Sequence, residues 1–392
     1  MTDFNFYTPA NCYISQDAIY KLPMVLENMS DRAMLIADPA LSEAKTAERL
    51  SSILEGRGRQ LIIFDDMENR PSSESVEDAL NMARAARVPF IIGLGGIKAL
   101  HIAKAVAALA NGDLSIYEWL DGEPPIKDPL PLALIPTSYR DPFLLSGGLV
   151  LNDARSGRAR LLNAQKGIEK HIILDPNVFR GLSGKSSAAV LIDGAMSAIE
   201  GYVSNRENFL SNMALKEASG LYIKALDVIL KRPDDPQARL DAARACFLTA
   251  LGLSVSAPGL GTAVSFAINA RWKVPKANLA VVIFPYLLDR LSRSRPEKIA
   301  SLAPLFCETD PDESSASLAA KMVESVRTRL GLLLIPSRLN DFNIPLERLS
   351  ESAETARRFD FMNFLPQTMT VEDVFDRSEE HTSELQSPSV IS

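Results

Sequence analysis

The stretch FIIGLGGIKALHIAKAVAAL, residues Phe90–Leu109, decides the fold. It begins as a short apolar run that ends in glycines, which is typical of a buried strand, and it continues with apolar residues at helical spacing. Glycines at such a junction let backbone amides approach a phosphate, and the helix start adds a partial positive charge. The stretch predicts a strand, a turn and a helix in which Gly95 and Gly96 bind a nucleotide, although such turns also serve close packing alone.

Similar apolar runs bounded by Asp, Gly and Pro occur on both sides of this stretch, with the amphipathic segments Ser75–Ala86 and Ala99–Ala110 between them. This alternation predicts an α/β domain over residues 1–178 with a mainly parallel, Rossmann-like sheet. The runs are AMLIAD (33–38), QLIIFDD (60–66), LALIPT (132–137), GGLVLND (147–153) and HIILDP (171–176).

The strand pattern disappears after about residue 182, and apolar residues then recur at helical spacing. An all-helical domain is therefore predicted over residues 179–376. The candidate helices include a stripe of Leu191, Ala195, Ala198, Ile199 and Tyr202, and the segments Met213–Leu230, Ala238–Leu253, Leu279–Leu291 and Ala316–Leu330.

The last residues, 377–392, differ in character from the rest. The segment RSEEHTSELQS, Arg377–Ser387, resembles the translation of a sequencing-library adapter, so the tail is predicted to be non-native and disordered. His381 lies in it. Of the three histidines in the chain, His101 and His171 remain for any site.

Composition narrows the class of protein. The net charge is −7 and there is no dense block of Lys and Arg, which argues against nucleic acid as a partner. The apolar run Leu279–Leu288 is too short to span a membrane and contains Pro285.

The start of the chain lacks the features of a secretion signal, so the cytoplasm is expected. The three cysteines form no CxxC pair, which predicts neither a disulfide framework nor a thiolate metal site.

Two charged residues flank the predicted nucleotide site. Lys98 would lie in the first turn of the helix, where a cation opposes the helix dipole unless an anion is bound, although a solvated surface lysine fits equally well. Asp38 ends a predicted strand, where a carboxylate can hold ribose hydroxyls and favour NAD over NADP. Asp38 also precedes Pro39, so it could simply form a turn.

The order of these motifs resembles the iron-containing (group III) alcohol dehydrogenase family from about Phe6 to Asp376. The resemblance implies the fold shared by that family and dehydroquinate synthases, NAD or NADP as the cofactor, an alcohol or aldehyde substrate, and a homodimer. It is carried by LIAD, GGIKALHIAKAVA, IPTSYRD, ILDPNVF, DGAMSAIEGYVS, GLGTAVSFAI and VPKANLAVVIFPYLL.

The resemblance also assigns cofactor contacts. The family's GGGSxxDxAK loop is represented here by Gly95, Gly96 and Lys98, with His101 in place of its Asp. The family's PTTxGTGSE loop keeps only its start, so Thr137 and Ser138 are implied to border the cofactor. His101 could meet the cofactor diphosphate, or it could lie on the helix surface.

The family's metal site departs further from its pattern. Of the implied ligands Asp193 is kept, but the histidine positions are Ser197, Val264 and Lys276, and a nearby active-site histidine position is Ile268. Because one carboxylate cannot retain a late divalent metal, neither Fe nor Zn is expected. An oxygen-only Mg²⁺ or Ca²⁺ site on Asp193 and Glu200 is an alternative.

Lys276 suggests a replacement for the metal charge. If its ammonium faces Asp193, it could polarise a carbonyl and supply a proton. It could equally be a structural salt bridge or a surface lysine. Tyr139 and Arg140 are secondary candidates for a proton donor and an anion clamp.

The resemblance, together with these residues, implies two alternative functions. The first is a metal-independent, NAD(P)-dependent oxidoreductase that interconverts alcohol and aldehyde, with Lys276, Asp193 and Tyr139 as catalytic residues. The second is a catalytically inactive relative that acts as a binding or regulatory subunit. A lyase on the same fold is disfavoured, because it would also need a metal with histidine ligands.

Overall fold

A computed structural model describes residues 4–25, 31–41, 46–56, 58–68, 70–178, 184–333, 335–336, 338–345 and 349–367. Its first half contains a six-stranded parallel sheet in the order β1-β8-β5-β4-β2-β3. The strands are β1 Asn11–Ile14, β2 Arg32–Ala37, β3 Gln60–Phe64, β4 Ile91–Gly95, β5 Leu132–Pro136 and β8 Glu169–Leu174. The predicted α/β domain with a mainly parallel sheet is confirmed.

Both faces of the sheet are buried. Met34 and Ile36 of β2 pack into the larger core, while Leu35 between them packs into a second core on the opposite face. Leu134 and Ile135 of β5 divide in the same way. Side chains alternate between the faces of a strand, so near-continuous apolar runs are what a sheet covered on both sides requires.

Helices connect the strands of this half: α1 Leu22–Val25, α2 Thr46–Glu55, α3 Ser73–Ala85, α4 Ile97–Leu109 and α5 Ile116–Asp121. The side chain of Ser72 caps α3 by accepting a hydrogen bond from the Ser75 amide. Gly96 is the N-cap of α4 and makes no side-chain cap, so α4 starts directly at the end of β4.

In the second half, helices account for nearly all the regular structure of the described residues. Asn208 caps α7 and Asp235 caps α8, because each side chain accepts hydrogen bonds from backbone amides of the first turn. Pro236 is the first residue of α8, a position where its missing N–H costs nothing. None of the helices in the described ranges has the length and hydropathy to cross a bilayer. The helices are α6 Gly184–Val203, α7 Phe209–Ile229, α8 Pro236–Leu253, α9 Leu260–Trp272, α10 Lys276–Ser294, α11 Pro296–Ala300, α12 Ser315–Gly331 and α13 Leu349–Arg357.

Three elements differ from the sequence prediction. The run GGLVLND becomes β6 Gly148–Asp153, which pairs antiparallel with β7 Arg158–Asn163 outside the main sheet, because a tight turn leads directly back. The edge strand β1 is only four residues long and carried no clear pattern. Helix α9 is buried all round and therefore lacks an amphipathic stripe. The predicted domain boundary near residue 178 falls between β8 and α6 and stays a prediction. The predicted non-native tail, residues 377–392, lies outside the described residues.

The sheet order brings three loops together. The chain moves from β2 outward to β3 and returns on the other side of β2 with β4, so the direction of winding reverses between β2 and β4. Ligands of open parallel sheets bind at such a reversal, beyond the carboxyl ends of the strands. Asp38, Gly96 and Thr137 follow β2, β4 and β5, and all three lie at this edge.

Candidate active site

Gly95 occupies a position that only glycine can fill. Its φ is +151°, and a Cβ there would lie 2.8 Å from the Cβ of Ala99 and 2.9 Å from the Cβ of Asp38. The missing side chain therefore allows β4, α4 and the end of β2 to meet closely. This geometry fits the alternative that the turn serves close packing, and nucleotide binding by Gly95 stays a prediction.

Gly96 and Ser138 form a polar recess at the start of α4. A Cβ on Gly96 would lie 3.1 Å from the Ser138 Oγ, and no side chain caps the helix. The Ser138 Oγ is buried and has no hydrogen-bond partner among the described residues. Because the first amides of a helix also lack partners within it, this recess fits an anionic group such as a pyrophosphate.

Asp38 and Lys98 form an ion pair beside this recess. The Lys98 Nζ lies 2.9 Å from an Asp38 Oδ, and each side chain is 15% exposed. Lys98 is therefore neither a freely solvated lysine nor an isolated positive charge. Thr137 is buried next to them and its amide donates to the Gly95 carbonyl. The structure brings the predicted cofactor residues together at one edge.

A second cluster lies around Asp193 in the middle of α6. The Asp193 carboxylate is fully buried, and it accepts hydrogen bonds from Lys276 on one oxygen and from Arg140 on the other. Lys276 is the first residue of α10, and Arg140 lies in the loop after β5. One carboxylate thus joins two cations that come from both halves of the chain.

The surroundings of Lys276 disfavour the protonated, positively charged form of its side chain. Burial lowers the pKa of Lys276, the negative charge of Asp193 opposes that change, and Arg140 adds to it, so that the net direction is downward. The ammonium also lies 4.9 Å from the centre of the Phe266 ring, a distance at which a cation is attracted to the ring face. Lys276 is held in place and is poised to lose a proton more easily than an exposed lysine.

Tyr139 does not join this cluster. Its side chain is fully buried, and its hydroxyl donates to the carbonyl oxygen of Asp175 at 2.7 Å. Burial raises the pKa of Tyr139 well above the usual tyrosine value. Its expected role as a proton donor does not fit this placement, because the hydroxyl is committed to the protein interior.

His101 was expected either at the cofactor diphosphate or on a helix surface, and both expectations are wrong. The ring is fully buried; it accepts from the Val150 amide at 3.0 Å and lies 3.3 Å from an Asp141 Oδ. Burial raises the pKa of Asp141, but His101, Lys104 and the Phe143 amide outweigh it and lower the pKa to about 2. The pair anchors the loop that carries Arg140.

Lys104 anchors the same loop from the next turn of α4. It is fully buried and donates to the carbonyls of Phe143 at 2.5 Å and Ser146 at 2.7 Å, and it pairs with Glu169 at 2.9 Å. The sequence pattern does not reveal these hydrogen bonds and ion pairs, because the residues that form them are about 40 positions or more apart in the chain.

Comparison with known proteins decides the family. A family model of iron-containing alcohol dehydrogenases matches residues 9–176, and the model of the C-terminal part of that family matches residues 187–379. The chain belongs to the iron-containing alcohol dehydrogenase family. It is thus a member of a family of oxidoreductases that interconvert alcohols and aldehydes.

Individual relatives are distant. Long-chain-alcohol dehydrogenase 1 of Geobacillus thermodenitrificans is 25% identical over 86% of this chain and 86% of its own length. The crystal structure of a 1,3-propanediol oxidoreductase superposes with a TM-score of 0.89 at 20% identity, covering 96% of this chain and all of the other. The sulfoacetaldehyde reductase of Bifidobacterium kashiwanohense, solved with NAD⁺, has a TM-score of 0.84 at 17% identity, covering 97% and 99%.

The positions of the family's metal ligands are chemically unsuited to iron or zinc here. Ser197 donates back to the Asp193 carbonyl at 3.1 Å, and Val264 is a buried apolar residue of α9. Ile268, at the position of the nearby active-site histidine, is buried and apolar as well. In the described ranges no three His, Cys, Asp or Glu side chains converge as a metal site would require. Two cations already contact the one carboxylate that remains, so this donor set does not fit the family's metal.

The alternative Mg²⁺ or Ca²⁺ site has no support in the geometry. The Glu200 carboxylate accepts from the Thr262 hydroxyl at 2.6 Å, from the Thr262 amide at 3.2 Å and from the Gly261 amide at 2.5 Å. Burial raises the pKa of Glu200, while these hydrogen bonds oppose the rise. Glu200 therefore satisfies the N-terminus of α9, and Asp193 is bound to cations.

Proposed function

We propose that this chain is an NAD(H)-dependent oxidoreductase that interconverts an alcohol and an aldehyde without a bound metal ion. The observation that carries the proposal is the contact of Lys276 and Arg140 with the two oxygens of Asp193. The resemblance assigns position 276 to a metal ligand, and Lys276 together with Arg140 would supply at Asp193 the positive charge that a metal would bring.

The cofactor would be held at the edge of the sheet. The amides at the start of α4 and the hydroxyl of Ser138 would hold its diphosphate, since Gly96 leaves room for both. Asp38 would contact the ribose and favour NAD over NADP. The NAD⁺ bound to the sulfoacetaldehyde reductase supports the same choice. When bound, the nicotinamide supplies or accepts the hydride.

Lys276 would act on the carbonyl oxygen of the aldehyde substrate. Its ammonium polarises the carbonyl, which increases the positive character of the carbon that receives the hydride. As the oxygen becomes an alkoxide, the Nζ–H bond breaks and the proton moves to that oxygen, so an alcohol leaves and a neutral amine remains. In the oxidation direction the neutral amine takes the proton of the alcohol. The lowered pKa of Lys276 suits both steps.

Asp193 would position Lys276. A carboxylate on the buried ammonium orients its remaining N–H groups and keeps it from withdrawing into water. Arg140 shares the same carboxylate, which lessens the negative charge felt by Lys276. Asp193 is therefore a positioning residue in this scheme.

The first experiment measures metal content and turnover together. Protein prepared without added metal is analysed for Fe and Zn, and NADH oxidation is followed with short aldehydes in the presence and absence of EDTA. Turnover that is unchanged by EDTA, with far less than one metal ion per chain, supports the proposal. Stoichiometric iron or zinc that is needed for turnover would overturn it.

The second experiment tests Lys276 directly. Lys276→Met removes the ammonium but keeps most of the stem, and we expect kcat to fall on the order of 100-fold or more, as when one preorganised group at a developing oxyanion is lost. NADH affinity, followed by nicotinamide fluorescence, is expected to stay within about twofold. The matched control is Lys216→Met, an exposed lysine on α7. Equal activity of the two variants would remove Lys276 from the mechanism.

Experiment can distinguish the proposed oxidoreductase from the alternative, a catalytically inactive regulatory subunit. It predicts NADH binding without turnover of any aldehyde, together with co-purification of an active homologue. The homodimer and the cytoplasmic location stay predictions, and sedimentation of the purified chain tests the first of them.

A further inference from the structure

The cluster around Asp193 contains more positive than negative charge. Asp193 is the carboxylate that bonds to Lys276 and Arg140, and two further buried carboxylates in the described part of the chain, Glu200 and Asp141, form their hydrogen bonds elsewhere. Glu200 accepts from the N-terminus of α9, and Asp141 accepts from the Phe143 amide and pairs with His101. Among the described residues, Asp193 is thus shared by two cations, while Glu200 acts on Lys276 only at a distance. A carboxylate that serves two cations leaves each of them only partly compensated, which is costly for groups removed from water.

Arg140 is the member of the cluster that reaches outward. Its side chain is 14% exposed, compared with 4% for Lys276 and none for Asp193. Its Nη1 donates to Asp193, while its buried Nε has no hydrogen-bond partner in the described part of the chain. A guanidinium with unused N–H groups is the group in proteins best shaped to bind a carboxylate with two hydrogen bonds.

The position of Arg140 separates it from the diphosphate recess. Ser138, two residues earlier, lies against Gly96 at the start of α4, whereas the guanidinium of Arg140 reaches Asp193 on α6. An anion bound by Arg140 would therefore lie beside Lys276 rather than at the helix that holds the diphosphate. It would belong to the molecule whose carbonyl Lys276 contacts.

We propose that Arg140 binds a carboxylate of the substrate, so that the substrate class is a short oxo acid and its hydroxy acid. This inference rests on the proposed function. Both cations contact a single carboxylate, so they lie close together, and the acid group must be next to the carbonyl or one carbon away from it. In the reaction the carbonyl carbon gains the hydride of NADH and its oxygen gains the Lys276 proton, while the substrate carboxylate is unchanged.

Binding of an unreactive acid tests this subsite without any cofactor or turnover. Oxamate and acetamide differ by the carboxylate, and their affinities for the full chain are compared by calorimetry. We expect oxamate to bind at least about tenfold more tightly, as a charge-assisted pair of hydrogen bonds implies. Arg140→Gln should remove this preference and Arg140→Lys should restore only part of it, while Arg327→Gln on the exposed face of α12 should leave it intact. Equal affinities of the wild type for the two probes would overturn the subsite, whatever the variants do.

Kinetics give the second readout. With NADH, glyoxylate is expected to have a kcat/KM at least about tenfold above that of acetaldehyde, and Arg140→Gln should reduce the value for glyoxylate about tenfold more than that for acetaldehyde. Oxamate binding that depends on Arg140, without turnover of either aldehyde, supports the anion subsite while the oxidoreductase proposal fails. Turnover of both aldehydes with equal efficiency, and no oxamate binding, overturns the subsite while the oxidoreductase proposal stands.

Discussion

The recess at the start of α4 and the cluster at Asp193 differ in how their buried polar groups are satisfied. At the recess, the Ser138 hydroxyl has no hydrogen-bond partner among the described residues, and Gly96 leaves space next to it. At the cluster, Lys276 and Arg140 of the chain itself engage both oxygens of Asp193. Buried polar groups are normally satisfied, so the recess can accept a hydrogen bond or an anion from outside, whereas the carboxylate of Asp193 is satisfied by side chains of the chain itself.

Under the proposed metal-free site, the contrast explains how the fold tolerates other residues at the positions that the resemblance assigns to the family's histidines. Removing histidines around a buried aspartate would leave an uncompensated charge, which costs several kcal/mol. Lysine at position 276 and arginine at position 140 more than compensate that charge, and their long stems fill space within the protein. The recess has no such replacement, because its ligand is still expected to come from outside.

The largest expected effect comes from breaking the cluster. Asp193→Ala leaves two cations without their shared carboxylate, and we expect the free energy of unfolding to fall by about 3–5 kcal/mol. Urea denaturation followed by circular dichroism measures the loss. Glu217→Ala, at an exposed position on α7, is the control and should change stability by less than about 0.5 kcal/mol. A loss below about 1 kcal/mol for Asp193→Ala would mean that the ion pairs contribute little.

The second effect concerns the His101 and Asp141 pair, which holds the loop between the two regions. The pKa of Asp141 is lowered to about 2, so the unfolded state binds its proton first as the pH falls. The stabilisation is present above about pH 4 and is lost between about pH 4 and pH 2, amounting to about 2 kcal/mol. Urea midpoints measured across this range should fall less steeply in Asp141→Asn than in the wild type. Asp312→Asn, at an exposed position, should behave like the wild type.

The third effect sharpens the description of the recess. Gly96→Ala adds a methyl group at a backbone conformation that alanine tolerates, 3.1 Å from the Ser138 Oγ. We expect NADH to bind about tenfold more weakly, because the methyl group obstructs the approach of the diphosphate to the amides of α4. Gly331→Ala, where an added Cβ meets nothing within 4 Å, is the matched control. Unchanged NADH affinity would place the cofactor elsewhere.

The smallest effect comes from the ion pair beside the recess. Asp38→Asn breaks the contact with Lys98, but both groups keep contact with water, so stability should change by less than about 1 kcal/mol. The preference for NADH over NADPH should fall a few-fold, because the carboxylate that repels a 2′-phosphate is gone. Dissociation constants for the two cofactors, measured by fluorescence, test this. An unchanged ratio would assign Asp38 a purely structural role.

Strong local patterns predicted most of the fold. The run from Phe90 to Leu109 contains its own strand, turn and helix, and the structure follows it closely. The strand β1 and the helix α9 escaped prediction, since a four-residue edge strand and a helix buried on all sides lack the alternation that reveals a half-buried element.

The site was predicted unevenly. Asp38, Lys98, Gly96 and Ser138 all lie near the ends of adjacent parallel strands, so the rule that such ends share one edge brought them together. Tyr139 shows the limit of that rule. It lies in the same loop, yet its hydroxyl donates to Asp175 in the interior, because the direction of a side chain in an irregular loop depends on packing partners elsewhere.

The sequence by itself determined the α/β and helical halves, the glycines at the end of β4 and the shortage of histidines, because these depend on local pattern and on composition. Only the tertiary structure decided that His101 pairs with Asp141, and that Lys276 and Arg140 share one carboxylate. Arg140, 53 positions away, meets Asp193 only when the two halves of the chain pack together, and Lys276, 83 positions away, meets it only when α10 packs against α6. The free energy that holds such a contact comes from burial, which no local stretch of sequence contains.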